Sequence, residues 1–88
     1  MGVTLLLREP ASGRVGASTL TLPVPAEGTL LALLAELTAR YPRLGSLDDL
    51  VMKYEPFIND AHVEPGAVAR APVRDGDTVL LLSAVSGG

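Results

Sequence analysis

The chain has 88 residues, 48% of them hydrophobic and 19% charged, with a net charge of −3 and no cysteine. That length makes one domain and excludes multi-domain enzymes and long repeat arrays, and the missing cysteine excludes disulfide scaffolds, thiolate nucleophiles and iron–sulfur ligation. The acidic balance, with a pI near 4.9, has the wrong sign for a domain that neutralises phosphates, so nucleic acid is not an expected partner.

Val3 to Arg8 reads V-T-L-L-L-R, a strand with Val3, Leu5 and Leu7 on one face and Thr4, Leu6 and Arg8 on the other. Glu9 to Arg14 holds Pro10, Ser12 and Gly13 and is read as a turn. A second strand follows, Leu20 and Leu22 alternating with Thr19 and Thr21, which completes a hairpin. Pro23 and Pro25 close it. Leu30, Leu33, Leu34, Leu37 and Tyr41 then recur at helical spacing, with Thr29 placed to cap the first turn and Pro42 unable to continue the last.

Residues 43 to 55, with Gly45, Ser46 and Asp48-Asp49 ahead of Leu50-Val51-Met52, predict a loop holding one short helical turn. Pro56-Phe57-Ile58 predicts a short strand entering a turn at Asn59-Asp60, residue types that tolerate positive φ, with Val63 beginning the return. After a loop marked by Pro65, Gly66 and Pro72, Arg74-Asp75-Gly76-Asp77 forms a tight turn into Thr78-Val79-Leu80-Leu81-Leu82. A strand so apolar on both faces belongs in the middle of a sheet. The expected division is a folded domain over residues 1–82 and a tail over residues 83–88, ending in Gly87-Gly88.

This order of elements is α+β, and it suits a β-grasp: a mixed sheet of four to five strands, the first and last parallel, with one main helix packed on one face. The other face stays uncovered. Leu6, with Leu80 and Leu82 or else Val79 and Leu81, is expected to point to that side as an apolar patch, the kind of surface that marks a protein partner.

Few residues invite catalysis. His62 is the only histidine, and with no neighbouring nucleophile it is read as a solvated loop residue. Asp48-Asp49 and Asp75-Gly76-Asp77 suit turns better than acid–base pairs, and neither has calcium-loop spacing, so no metal site is expected. The terminal glycines are different. Two residues without Cβ thread a narrow channel and leave a carboxylate open to attack, although the same pair also suits a plain flexible end. A carboxylate transfers nothing until it is activated, so on the first reading the protein is a substrate of another enzyme. The N-terminus lacks a signal-peptide pattern, and no apolar run is long enough to span a membrane, so a cytoplasmic location with no membrane partner is expected.

Arg8-Glu9 after an apolar strand, the helix ending in Arg40-Tyr41-Pro42, Ile58-Asn59-Asp60 with Val63, Asp75-Gly76-Asp77-x-Val79 and the closing Val85-Ser86-Gly87-Gly88 resemble the MoaD/ThiS ubiquitin-like sulfur carriers over nearly the whole chain. The resemblance implies a β-grasp protein with no bound cofactor. Its Gly88 carboxylate would be adenylated with ATP by a ubiquitin-activating-type enzyme of the MoeB/ThiF kind and converted to a thiocarboxylate. In the MoaD branch the sulfur goes to a pterin precursor held by the large subunit of molybdopterin synthase. Ala84, Val85, Ser86 and Gly87 would then enter that subunit, while Leu6, Leu80 and Leu82 dock on its surface. The MoaD branch commonly has a Phe before Arg-Glu and a Pro-Pro pair before the tail Val; here stand Leu5 to Leu7 and Ser83-Ala84. The ending is also similar to carriers for cysteine biosynthesis, and a ubiquitin-like protein modifier would share the adenylation step.

Overall fold

The computed structural model describes residues 2–84. Five strands form one sheet: β1 (Val3–Leu7), β2 (Thr19–Leu22), β3 (Tyr54–Ile58), β4 (Ala61–His62) and β5 (Thr78–Ser83), in the order β2-β1-β5-β3-β4. β1 pairs antiparallel with β2 and parallel with β5, while β3 runs antiparallel to both β5 and β4. β5, the most apolar strand, therefore lies at the centre. Across the parallel pair Leu5 meets Val79 and Leu7 meets Leu81; these four side chains are at most 1% exposed. They form one wall of the core.

The other wall is α2 (Leu30–Arg40), whose Leu30, Leu33, Leu34 and Leu37 are all buried. The spacing that predicts the helix is the spacing that places these four leucines on one side. Its first turn would leave backbone N–H groups without partners. Thr29 Oγ1 accepts from Ala32 N–H at 3.2 Å, and the carbonyls of Ala71 and Val68 accept from Leu30 and Leu31 at 2.8 and 3.0 Å. The loop after β4 thus caps the main helix.

The chain departs from the sequence reading in three stretches. The expected turn over Glu9–Arg14 is a one-turn helix, α1 (Ala11–Val15), closed by Gly16 at φ 88°; fully buried Ala11 pins it to the core despite Gly13 inside it. Residues 43–55 hold more than a loop with one helical turn: a 3₁₀ turn over Pro42–Leu44 leads into α3 (Leu47–Lys53), and Tyr54 and Glu55 already belong to β3. Ser46 Oγ accepts from Asp49 N–H at 3.1 Å and the Asp49 carboxylate accepts from Ser46 N–H at 3.3 Å, so the two residues cap each other. Asp48 and Asp49 stand in that first turn, where the helix dipole favours negative charge. At the C-terminal end β5 runs through Ser83, opposite Tyr54, and Ala84 N–H donates to the Lys53 carbonyl at 2.7 Å. The sheet therefore holds the chain two residues beyond the expected boundary at residue 82.

Candidate functional site: an uncovered sheet face at the root of the C-terminal segment

Strand alternation decides which apolar residues leave the core. Val3, Leu5 and Leu7 of β1 and Val79 and Leu81 of β5 turn towards α2 and are buried. Leu6, Leu80 and Leu82 consequently turn to the opposite face, where they are half-buried. Of the two phases open for β5, this resolves the choice in favour of Leu80 and Leu82. Leu6 lies opposite Leu80, and Leu80 opposite Phe57 of β3. Leu6, Leu80 and Phe57 make a continuous apolar row across three strands.

The row ends on a polar edge. Phe57 pairs with His62 of β4, the two ring centroids 5.1 Å apart, and His62 Nε2 lies 3.1 Å from a Glu55 carboxylate oxygen. His62 is therefore exposed, as the sequence predicts, but it is a strand residue with two partners and not a loop residue. Both side chains keep roughly two-fifths to one-half of their surface exposed, at 39% and 49%, so the pair marks the rim of the apolar row more than it stabilises the fold. Phe57 and Glu55 escape a reading by residue type. Their signal is the period-two phase of β3 set against the register of β5.

Ala84 stands where β5 leaves the sheet. It joins Val51, Tyr54, Pro56, Val63 and Val68 around an apolar cleft of about 220 Å³. Tyr54 is only 4% exposed; its burial pushes the phenol above its ordinary value, against a smaller opposing effect of Arg14. Val85, Ser86, Gly87 and Gly88 lie outside the described residues. Leu6, Leu80, Leu82 and Ala84 are thus gathered on and beside one strand, which carries the chain towards Gly88.

At the opposite end of the sheet two turns are clasped together. Asn59 and Asp60 adopt φ of 48° and 73°. Asn59 Nδ2 donates to the Asp77 carboxylate at 2.9 Å, Asn59 Oδ1 accepts from Thr78 N–H at 3.0 Å, and the other Asp77 oxygen accepts from Arg74 N–H at 2.8 Å. These hydrogen bonds, the one from Asn59 foremost, hold the Asp77 carboxyl below the usual aspartate range. Asp75-Gly76-Asp77 is a structural turn. Among the described residues, no three His, Cys, Asp or Glu side chains are grouped to hold a metal ion, and no helix is long and apolar enough to cross a membrane.

Several solved structures share this architecture. Small archaeal modifier protein 1 from Haloferax volcanii superposes with a TM-score of 0.77 at 24% identity, covering 98% of both chains. Its namesake from Methanosarcina acetivorans gives 0.78 at 20% identity, over 98% of this chain and 95% of that one. A chain of the complex of subunits 1 and 2 of the molybdopterin-converting factor from Helicobacter pylori gives 0.66 at 19% identity, with both chains fully covered. At these identities the likeness establishes the fold, a β-grasp. No protein in a search of the curated proteins matches the sequence. The ThiS family model matches residues 12–88, from the start of α1 through both terminal glycines. The chain belongs to the ThiS family of ubiquitin-like β-grasp proteins.

Proposed function

We propose that this protein is a sulfur carrier whose Gly88 carboxylate is the working group, and that molybdopterin synthesis is the pathway it serves. The observation that carries the reading is the extent of the family match, which runs through Gly87 and Gly88 and so includes the terminal pair in the shared pattern. In the proposed cycle an activating enzyme of the ubiquitin-activating type joins the carboxylate to AMP and releases pyrophosphate from ATP. Hydrosulfide then attacks the acyl carbon, the C–O bond to AMP breaks and AMP leaves, and Gly88 ends as a thiocarboxylate. The protein's own part is to be held and threaded: Leu6, Leu80 and Leu82 bind the partner's apolar surface, Ala84 starts the strand-like lead, and Val85 to Gly88 reach the partner's centre. It supplies no acid, base or cofactor to the reaction.

The complex named for the Helicobacter pylori neighbour supports a large-subunit partner. The names of the two archaeal neighbours support a second reading, a protein modifier joined to lysines through the same activated glycine. Cysteine or another sulfur metabolite is the third destination consistent with the tail. Intact mass spectrometry of the protein from its own host separates a sulfur carrier, whatever its acceptor, from a modifier. A gain of about 16 Da located on Gly88, from replacement of one carboxylate oxygen by sulfur, is the expected result. High-mass conjugates would favour the modifier. An unmodified carboxylate after incubation with the host's activating enzyme, ATP and a sulfur donor would overturn the proposal.

A further inference from the structure

The two edges of the sheet are treated differently. β4 is two residues long and lies between Asp60 and Glu64-Pro65, charges and a proline of the kind that discourage further pairing. β2 carries no charge, and its prolines, Pro23 and Pro25, lie beyond its last residue and leave Thr19 to Leu22 open. It sits at the other edge with β1 as its strand partner, inside a run from Val15 to Ala26 without a charged residue.

The hydrogen-bond parity of β2 follows from one contact. Leu7 N–H donates to the Ser18 carbonyl at 2.8 Å, so Leu7 and Ser18 form a bonded pair, and two residues on, so do Leu5 and Leu20. Thr19 and Thr21 are then the non-bonded positions, and their N–H and C=O groups point away from β1 to the open edge. Both residues are exposed.

We propose that this edge pairs with the same edge of a second copy, antiparallel about a two-fold axis through Leu20. Thr19-Leu20-Thr21 reads the same in both directions, so the axis sets each Thr19 against the partner's Thr21. Each such pair exchanges two N–H to C=O bonds, giving four in all. Between them the two Leu20 residues face each other as a close non-bonded pair, on the α2 side, where Leu20 already packs against the core. Pro23 has no N–H to give, which ends the ladder beyond the two threonine pairs. Val24, one of two large apolar side chains counted as exposed among the described residues, flanks the contact. Because the chain is acidic overall, copies approach with least repulsion along this uncharged stretch. The axis stands perpendicular to the sheet. It leaves both apolar faces on one side and points the two β5 strands in opposite directions, so pairing and partner docking are compatible.

Such a contact is far smaller than the ~1,600 Å² of a standard interface, and its dissociation constant should lie at about 0.1–1 mM. Sedimentation equilibrium and amide hydrogen exchange across that concentration range test it on the full chain. The expected result is dimer at high concentration, with Thr19 and Thr21 amides gaining protection as concentration rises and Leu20 and Leu22 amides protected throughout. Thr21→Pro removes only an outward N–H, and T19K/T21K places charges on exposed positions; each should weaken the dimer at least tenfold. Leu80→Lys, on the uncovered face, should not. A monomer at all concentrations, or a dimer lost with Leu80→Lys and kept with Thr21→Pro, would overturn the proposal.

Discussion

Replacing Asn59 tests how the β3–β4 turn and the turn into β5 are held together. Its side chain makes two of the hydrogen bonds in the clasp, to Asp77 and to Thr78, and its backbone sits in the left-handed region at φ 48°. At this exposed position the two bonds contribute about 0.5–1 kcal/mol each. An alanine forced into the left-handed region adds about 1 kcal/mol. Asn59→Ala should therefore destabilise by about 2–3 kcal/mol, or roughly 10–20 °C in melting temperature for a domain of this size. Asn59→Gly keeps the backbone freedom and loses only the bonds, so it should recover about 1 kcal/mol of that loss. Thermal and urea unfolding of both variants, with Asp77→Ala and the double variants, separate the terms. Glycine at full wild-type stability would refute the clasp. Equal losses for alanine and glycine would refute the backbone argument, and additivity of Asn59→Ala with Asp77→Ala would refute the coupling.

The same clasp predicts an acid limb. Because the Asp77 carboxyl is held below its ordinary 3.8, the unfolded chain takes up this proton first. The stabilisation is full above that value and is lost as pH falls through the lower folded-state value. Asp77→Asn should flatten this part of the stability profile, as read by urea unfolding between pH 5 and the acid transition. Ser46→Ala removes one half of the mutual cap at α3 and should cost about 1 kcal/mol, seen as a melting temperature lower by about 4–8 °C. Leu80→Lys should fold with nearly unchanged circular dichroism, since Leu80 lies outside the α2-facing core, yet lower affinity for the activating enzyme at least tenfold in titration calorimetry. Deleting Gly87 and Gly88 should leave melting unchanged and abolish adenylation, measured as ATP–pyrophosphate exchange.

What the sequence discloses here depends on the range of the interaction that fixes each element. Leu30, Leu33, Leu34 and Leu37 announce α2 because helical spacing is local, and the two-sided apolarity of residues 78–82 announces a central strand. Alternation alone does not say which phase faces the helix. Only the parallel register with Leu5 and Leu7 separates Leu80 and Leu82 from Val79 and Leu81. α1 contradicts its own turn residues because buried Ala11 holds it from a distance. α3 does have a local signal, Ser46 followed three residues later by an acid, but the same aspartates suit a turn equally well. His62 reads as a loop residue because its two-residue strand exists only through pairing with Phe57 and Ile58 of β3. Asn59 and Asp77, eighteen positions apart, are each legible as turn formers, but their contact is not. The uncovered face is legible in Leu6, Leu80 and Leu82, and illegible in Phe57 and the Glu55–His62 rim.

The Ala84 to Lys53 hydrogen bond continues a strand that is bonded on both flanks, parallel to β1 and antiparallel to β3. A pull applied in line with β5 acts along the strand itself. Tension along that axis loads the rungs of both ladders in shear, so they resist together, whereas a pull across an edge strand would open them one at a time like a zipper. The geometry makes the central strand a mechanical anchor: an enzyme that draws the chain into a narrow channel can exert force on it without unravelling the domain to which it is attached.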